Sequence, residues 1–368
     1  LPHTSPDTPA YEETPARATG NDCFSPYPSI TDWYETVKLN YGVDYCGGSG
    51  LHADPIPDTW VKMRDILCYW AARGVDGFRC DMTELVPPAF WAWAIPSVRE
   101  QYPKTLFLAE IYQPDRYGEY LHAGFDYLYD KVGVYDYLIA LGKGARDAAD
   151  FTGVRDAVGG EQPAMCYFTE NHDEQRIASD FFAGRAEAGI PAMIVAATIG
   201  TGPVMVYFGQ ELGERGMDEE GFSGRDGRTS IFDYWSLDTL RRRCHGGRYD
   251  EALLTDAERS LLHQYTAILR LSREEKALAE GTFFDLMYVN PQSDNFNPAR
   301  HFAFLRKWQD ELLLVVVNFS GESNSVQVNI PRHAFDYLQL PEGHFGAIDL
   351  LTGETTVENL GRDGNISM

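Results

Sequence analysis

The chain has 368 residues, longer than one ordinary domain, with 44% hydrophobic and 13% aromatic residues, which makes two folded regions the default expectation. Its formal charge of −24 excludes a nucleic-acid partner held through phosphate, and no apolar run reaches the roughly 18–20 residues a membrane span needs. Ile190 to Val206 is broken by Pro191, Gly200, Gly202 and Pro203, and the surplus acid fits solubility and a neutral ligand.

In chain order, residues 1–57 are rich in Pro, Gly, Asp, Ser and Thr without a sustained period, and read as irregular structure. Asp58 then caps a helix carrying Trp60, Met63, Leu67 and Trp70 and ending at Gly74. Val75 to Asp81 is a short strand, Pro88 to Glu100 a helix, and Thr105 to Glu110 an apolar strand of the kind buried on both faces. A weaker strand over Phe125 to Tyr129 precedes a helix over Val134 to Leu141. Met165 to Thr169 is a strand, Ile190 to Thr198 a helix, and Val204 to Phe208 a strand. This alternation predicts an α/β fold with a parallel sheet. A Gly- and charge-rich loop spans Gly209 to Ser230, and an amphipathic helix runs from Asp256 to Arg273. Beyond Gly281 the pattern is strand and turn: His301 to Lys307 and Glu311 to Asn318 form a hairpin, continued by Val326 to Ile330, Ala347 to Leu351 and Thr355 to Val357. The expected organisation is 1–57 irregular, 58–280 α/β and 281–368 an antiparallel β-domain.

Six cysteines, at 23, 46, 68, 80, 166 and 244, include no Cys-x-x-Cys pair. They predict free thiols and no zinc site, and lean toward a reducing, cytoplasmic compartment. Asn318-Phe319-Ser320 and Asn365-Ile366-Ser367 are formal glycosylation sequons. The acidic residues Asp218, Glu219, Glu220 and Asp226 lack the spacing of a calcium loop and read as solvated surface.

Three strands end in an acid: Asp81 in GFRCD, Glu110 in LFLAE and Asp173 in FTENHD, separated by 29 and 63 residues. A β/α barrel of about 250 residues allots roughly 31 to each unit, so these are gaps of one unit and two, and all three acids face one mouth. Carboxylates there suit glycosidic hydrolysis, which needs a proton donor and a nucleophile around an oxocarbenium-like transition state. Arg79, two residues before Asp81, shares its strand face and is placed to keep it ionised. Glu110 has apolar sequence neighbours, which suits the acid role.

These residues resemble a known family. GVDGFRCDM resembles the fourth-strand motif of the α-amylase superfamily, FLAE its fifth-strand motif and ENHD its seventh-strand motif; GPVMVYFGQE and GRTSIFDYW are similar to its barrel closure and the segment after it. The resemblance implies a (β/α)8 barrel of which about strands four to eight are present, an irregular inserted segment before them and a C-terminal β-sandwich. It implies a retaining hydrolase of α-1,4-linked glucan (starch, glycogen or maltooligosaccharides). Asp81 is then the nucleophile, Glu110 the acid and base, Asp173 the transition-state stabiliser, Arg79 the positioning arginine and His172 a sugar ligand. Tyr112 and Trp33 or Tyr34 are placed to stack on glucose.

The sequence departs from that family twice. The Lys and His that follow the nucleophile in many members are Glu84 and Leu85 here. That touches the acceptor sites and leaves open a structural calcium, for which the His supplies a backbone carbonyl; the chemistry itself requires no cofactor. The third-strand Asp-x-x-x-Asn-His motif is absent. The chain is therefore expected to begin inside the inserted segment, with the first three barrel units coming from a longer protein, another polypeptide or a second copy. Alone it is expected to be weakly active. Rival expectations are a transglycosylase or α-glucosidase of the same superfamily, and an inactive glycan-binding relative.

Overall fold

The computed structural model describes residues 19–25, 28–33, 36–45, 48–218, 225–229 and 237–368. Tyr34, Cys46, Glu219, Glu220 and the whole SIFDYW segment (230–235) lie outside the described residues. The chain divides into two compact units, one of Leu1–Ile111 with Arg116–Asp126, the other of Tyr112–Asp115 with Tyr127–Met368.

In the first unit a short antiparallel pair, β1 (Val43–Asp44) and β2 (Gly50–Leu51), precedes helix α1 (Asp58–Ala71), strand β3 (Gly77–Cys80), helix α2 (Pro88–Gln101), strand β4 (Leu106–Ala109) and helix α3 (Tyr117–His122). Helix α1 starts where the sequence places it, but Asp58 is its first residue and Pro57 occupies the capping position; Asp58 bonds Lys62 one turn on. Proline at the first position of α2 costs no hydrogen bond, because that N–H has no partner within a helix. The core is aromatic: Phe90 lies edge-on to Trp60 at 5.7 Å and to Trp91 at 4.9 Å, and Trp91 meets Phe125 at 5.0 Å. Trp60 Nε1 donates to the carbonyl of Tyr41 at 2.9 Å, so its one polar atom is satisfied inside. Ile66, Tyr69 and Trp70 of α1 are exposed. Leu106 of β4 is 47% exposed, so that strand is not buried on both faces as its apolar sequence suggested.

Strands β3 and β4 run parallel with Gly77 opposite Leu106 and Cys80 opposite Ala109. Gly77 is required there: a Cβ would stand 2.6 Å from the Leu106 carbonyl oxygen.

In the second unit strand β5 (Tyr127–Tyr129) leads through a π-helical turn, Lys131–Tyr135, into α4 (Asp136–Gly142), where the sequence suggested one helix. Helix α5 (Phe151–Asp156), strand β6 (Met165–Phe168), helix α6 (Ile190–Thr198) and strand β7 (Val204–Met205) follow. Strands β5, β6 and β7 are parallel, and every residue of β6 is buried. Helix α7 (Asp238–Cys244) precedes α8 (Asp256–Glu274). Thr255 and Glu258 form a reciprocal capping box at the start of α8. Arg242 clasps the same Glu258 from α7. Met193 and Ala197 of α6 pack on Leu261, Tyr265 and Ile268 of α8.

After helix α9 (Lys276–Ala279) the structure turns antiparallel. Strands β8 (Thr282–Asp285), β9 (His301–Trp308) and β10 (Glu311–Asn318) form one sheet in the order β10-β9-β8. Gln309, at the turn of the β9–β10 hairpin, has a left-handed φ of 47°. Strand β11 (Gln327–Ile330) and helix α10 (Arg332–Leu338) follow, then β12 (Gly343–Ile348), β13 (Thr355–Leu360) and β14 (Gly364–Ser367), with β11 paired to β14 and β12 to β13. No helix among the described residues is long and apolar enough to cross a membrane. The described cysteines, Cys23, Cys68, Cys80, Cys166 and Cys244, are free thiols, and burial pushes those of Cys80 and Cys166 up to about 12.

Candidate active site

Strand alternation puts Arg79 on the face of β3 opposite Phe78 and Cys80, with Asp81 following it on the same side. The Arg79 guanidinium donates from Nη1 to Asp81 Oδ1 and from Nη2 to Glu110 Oε1, the latter at 2.7 Å. One planar cation thus joins two carboxylates that end adjacent parallel strands. The backbone ladder continues past both strand ends, through Glu110 N–H to the Cys80 carbonyl at 3.1 Å and Thr83 N–H to the Glu110 carbonyl at 3.2 Å. Between them Met82 adopts a left-handed φ of 42°, and its N–H donates to Glu110 Oε2 at 2.8 Å. A non-glycine residue in that region carries backbone strain, a feature found at functional sites.

The two acids differ sharply in access. The Asp81 side chain is 71% exposed and that of Glu110 only 2%. Asp81 is presented outward with one oxygen on the guanidinium. Glu110 is sealed, and its neighbours in space are a cation and an amide, unlike its apolar neighbours in sequence. Trp33, also in this unit, is partly exposed with its ring against Gly20.

His172 and Asp173 belong to the second unit, on the loop after β6. His172 Nε2 lies 3.2 Å from Asp173 Oδ2. The loop is closed on itself in two ways. Asn171 Oδ1 accepts from the N–H groups of Asp173 and Glu174, both at 2.9 Å. Beneath it, Glu170 and Arg176 form an ion pair at 2.8 Å. Arg176 spends its other donors on Thr229 Oγ1 at 3.2 Å and the Phe208 carbonyl at 2.8 Å, and its guanidinium lies 4.3 Å from the centre of the Tyr207 ring. Glu170 also accepts from Ile177 N–H at 2.8 Å, and complete burial pushes its carboxyl above the usual range against the pull of Arg176. From the other side, Glu174 receives Lys131 at 3.1 Å and the Tyr135 hydroxyl at 3.2 Å. Tyr112 is half-buried in this unit.

The residues at the apex were legible in the sequence, but the partners that hold it were not: Glu170 stood inside the ENHD motif without a role, and Arg176, Lys131 and Tyr135 were not singled out. The available signals were that acid at the head of the motif and an arginine three residues after its aspartate. Among the described residues no group of three or more His, Cys, Asp or Glu is arranged to hold a metal ion. Asp226 is engaged by Arg228, at 2.6 and 3.0 Å.

Scanned against models of known protein families, the chain matches none. It is 27% identical to α-amylase MalA of Haloarcula japonica over 79% of its own length and 36% of that protein's. It is 23% identical to neopullulanase 2 of Thermoactinomyces vulgaris over 85% of its own length and 46% of that protein's. Over 55 residues, 15% of the chain and 8% of the relative, it is 42% identical to the α-1,4-glucan:maltose-1-phosphate maltosyltransferase of Chlorobaculum tepidum. The chain therefore spans less than half the length of these curated relatives. Among solved structures it is similar to the maltogenic α-amylase AmyB of Thermotoga neapolitana, with a TM-score of 0.60 and 17% identity, covering 89% of this chain and 67% of that one. The cyclic α-maltosyl-(1→6)-maltose hydrolase of Arthrobacter globiformis, in its ligand-free form, gives a TM-score of 0.60 at 18% identity over 98% of this chain and 66% of that one. In its motifs, its fold and its relatives the chain is similar to enzymes of the α-amylase superfamily.

Proposed function

We propose that the chain carries the acidic half of a retaining glycoside hydrolase acting on α-1,4-linked glucans, its parallel strands being strands four to eight of a (β/α)8 barrel. The observation that carries this reading is the single Arg79 guanidinium shared by Asp81 and Glu110 at the ends of neighbouring parallel strands. In the proposed cycle Asp81, exposed and held by Arg79, attacks the anomeric carbon and forms a glycosyl ester. Glu110 turns off the guanidinium to protonate the leaving oxygen, then takes a proton from the attacking water. Asp173, at the tip of its double-tied loop, has the role of balancing the oxocarbenium charge, with His172 beside it as a ligand of a sugar hydroxyl. Trp33 and Tyr112 act as sugar platforms. The acceptor that resolves the ester is water in the hydrolase reading. A transferase reading has one specific support, the 42% identical stretch shared with a maltosyltransferase.

Incubation with maltoheptaose tests both. Short linear products from the wild type, with Glu110→Gln slower by about 10²–10⁴ and Asp81→Asn and Asp173→Asn also inactive, support hydrolysis. Products longer than the substrate support transfer. Binding of maltoheptaose with no turnover, unchanged by Asp81→Asn, supports a glycan-binding relative and overturns the catalytic reading.

A further inference from the structure

The turn that follows Asp81 is ringed by protein donors. The carbonyl of Glu84 faces Arg116 Nη1 at 3.5 Å, that of Leu85 faces Lys38 Nζ at 3.4 Å, and that of Val86 faces the Tyr120 hydroxyl at 3.5 Å. Lys38 comes from the irregular segment before α1. Its side chain is only 8% exposed, and its ammonium also pairs with Asp22 Oδ1 at 2.5 Å and lies 5.5 Å from the centre of the Tyr45 ring.

Leu85 stands where many relatives are expected to offer a backbone carbonyl to calcium. Calcium binds six to eight oxygens at about 2.3–2.6 Å, with carboxylates among them. Here the carbonyl already meets a cation, and the carboxylate nearest that cation, Asp22, is committed to it. A divalent ion seated on the Leu85 oxygen would stand within a few ångströms of the Lys38 ammonium, with a guanidinium on the preceding carbonyl. The donor set does not fit calcium.

We infer that Lys38 does the work of a structural cation: its ammonium ties Asp22 of the N-terminal segment to the turn after Asp81, and this fold holds together without calcium. A lysine is suited to this because its charge is compact, carries three donors, and is anchored covalently, so the tie does not depend on a free ion concentration. The Tyr45 ring and the Asp22 carboxylate both help to hold the ammonium in place. The tie is a matter of folding and stands apart from the catalytic reading.

Thermal unfolding of the chain tests it without any activity assay. The wild type, stripped with EDTA, is expected to melt within 1 °C of the same protein in millimolar CaCl2, and calorimetric titration with Ca²⁺ is expected to give no saturable binding; a melting temperature that falls with EDTA or climbs with Ca²⁺ overturns the inference. Lys38→Met is expected to lower the melting temperature and speed proteolysis within residues 19–45, and Lys38→Arg to keep most of both. A Lys38→Met protein as stable and protease-resistant as the wild type also overturns it. Should that variant fail to fold, the EDTA and Ca²⁺ comparison on the wild type decides alone.

Discussion

Arg176 donates to Glu170 at 2.8 Å in an interior where neither side chain reaches solvent. Removing one partner of such a pair strands the other charge, which costs about 3–5 kcal/mol. Arg176→Met also strips the Phe208 carbonyl and the Thr229 hydroxyl of their donor. It is expected to lie at the upper end of that range in urea titration. Glu170→Gln keeps an acceptor for Ile177 N–H but leaves the buried Arg176 charge uncompensated, and is expected to lie at the lower end of the range, about 3 kcal/mol.

Asp130 ends β5 with Oδ1 on Gly133 N–H at 2.9 Å and Oδ2 without a partner among the described residues. Burial pushes its carboxyl up to about 6 from an ordinary 3.8. The sign follows from linkage: an acid whose folded value is raised binds its proton more tightly when folded. Its ionisation therefore costs nothing below about pH 4, an increasing amount between 4 and 6, and its full penalty above 6. Asp130→Asn keeps the acceptor and removes the charge. It is expected to raise stability above pH 6.5 by no more than about 3 kcal/mol, and by nothing at pH 4. Urea midpoints at both pH values check this.

Arg79→Lys tests the shared guanidinium. An ammonium has no planar fork and cannot hold two carboxylates in fixed register. If the catalytic reading holds, kcat/KM on maltoheptaose is expected to fall about 10²-fold while the melting temperature changes by only a few degrees.

Gly202 precedes β7, and a Cβ there would stand 2.1 Å from the Met165 carbonyl oxygen and 3.0 Å from that of Pro163. Both contacts are backbone, so nothing flexible can yield. Gly202→Ala is expected to cost more than about 2 kcal/mol, seen as a lowered melting temperature and an altered near-UV spectrum from the buried Tyr167.

The sequence was most informative where a period runs long enough to be read. Helix α6 has the bounds its pattern gave, and α1, α2 and α8 agree within a few residues. Short elements escaped: α3, α5, α7 and α10 have six or seven residues each, under two helical turns, too few for an apolar stripe to show. Strand β8, four residues preceding a long irregular stretch, escaped for the same reason. At the site, the pairing of Arg79 with Asp81 was legible because two residues apart on a strand means one face. The link from Arg79 to Glu110, 31 residues on, was not, nor was the ring around Arg176, whose partners lie 6, 32 and 53 residues away. Such partners are brought together by the topology of the sheet, which no local pattern encodes.

Lys131 and Tyr135 sit on one π-helical turn, and both grip Glu174, the residue beside Asp173. The end of β5 and the tip of the loop after β6 are therefore linked parts of a single lever. Any excursion that draws Asp173 back has to drag the turn after β5 along or break both grips at once. Relaxation dispersion on the amides of 131–135 and 171–174 would then report a shared exchange rate, the signature of concerted displacement.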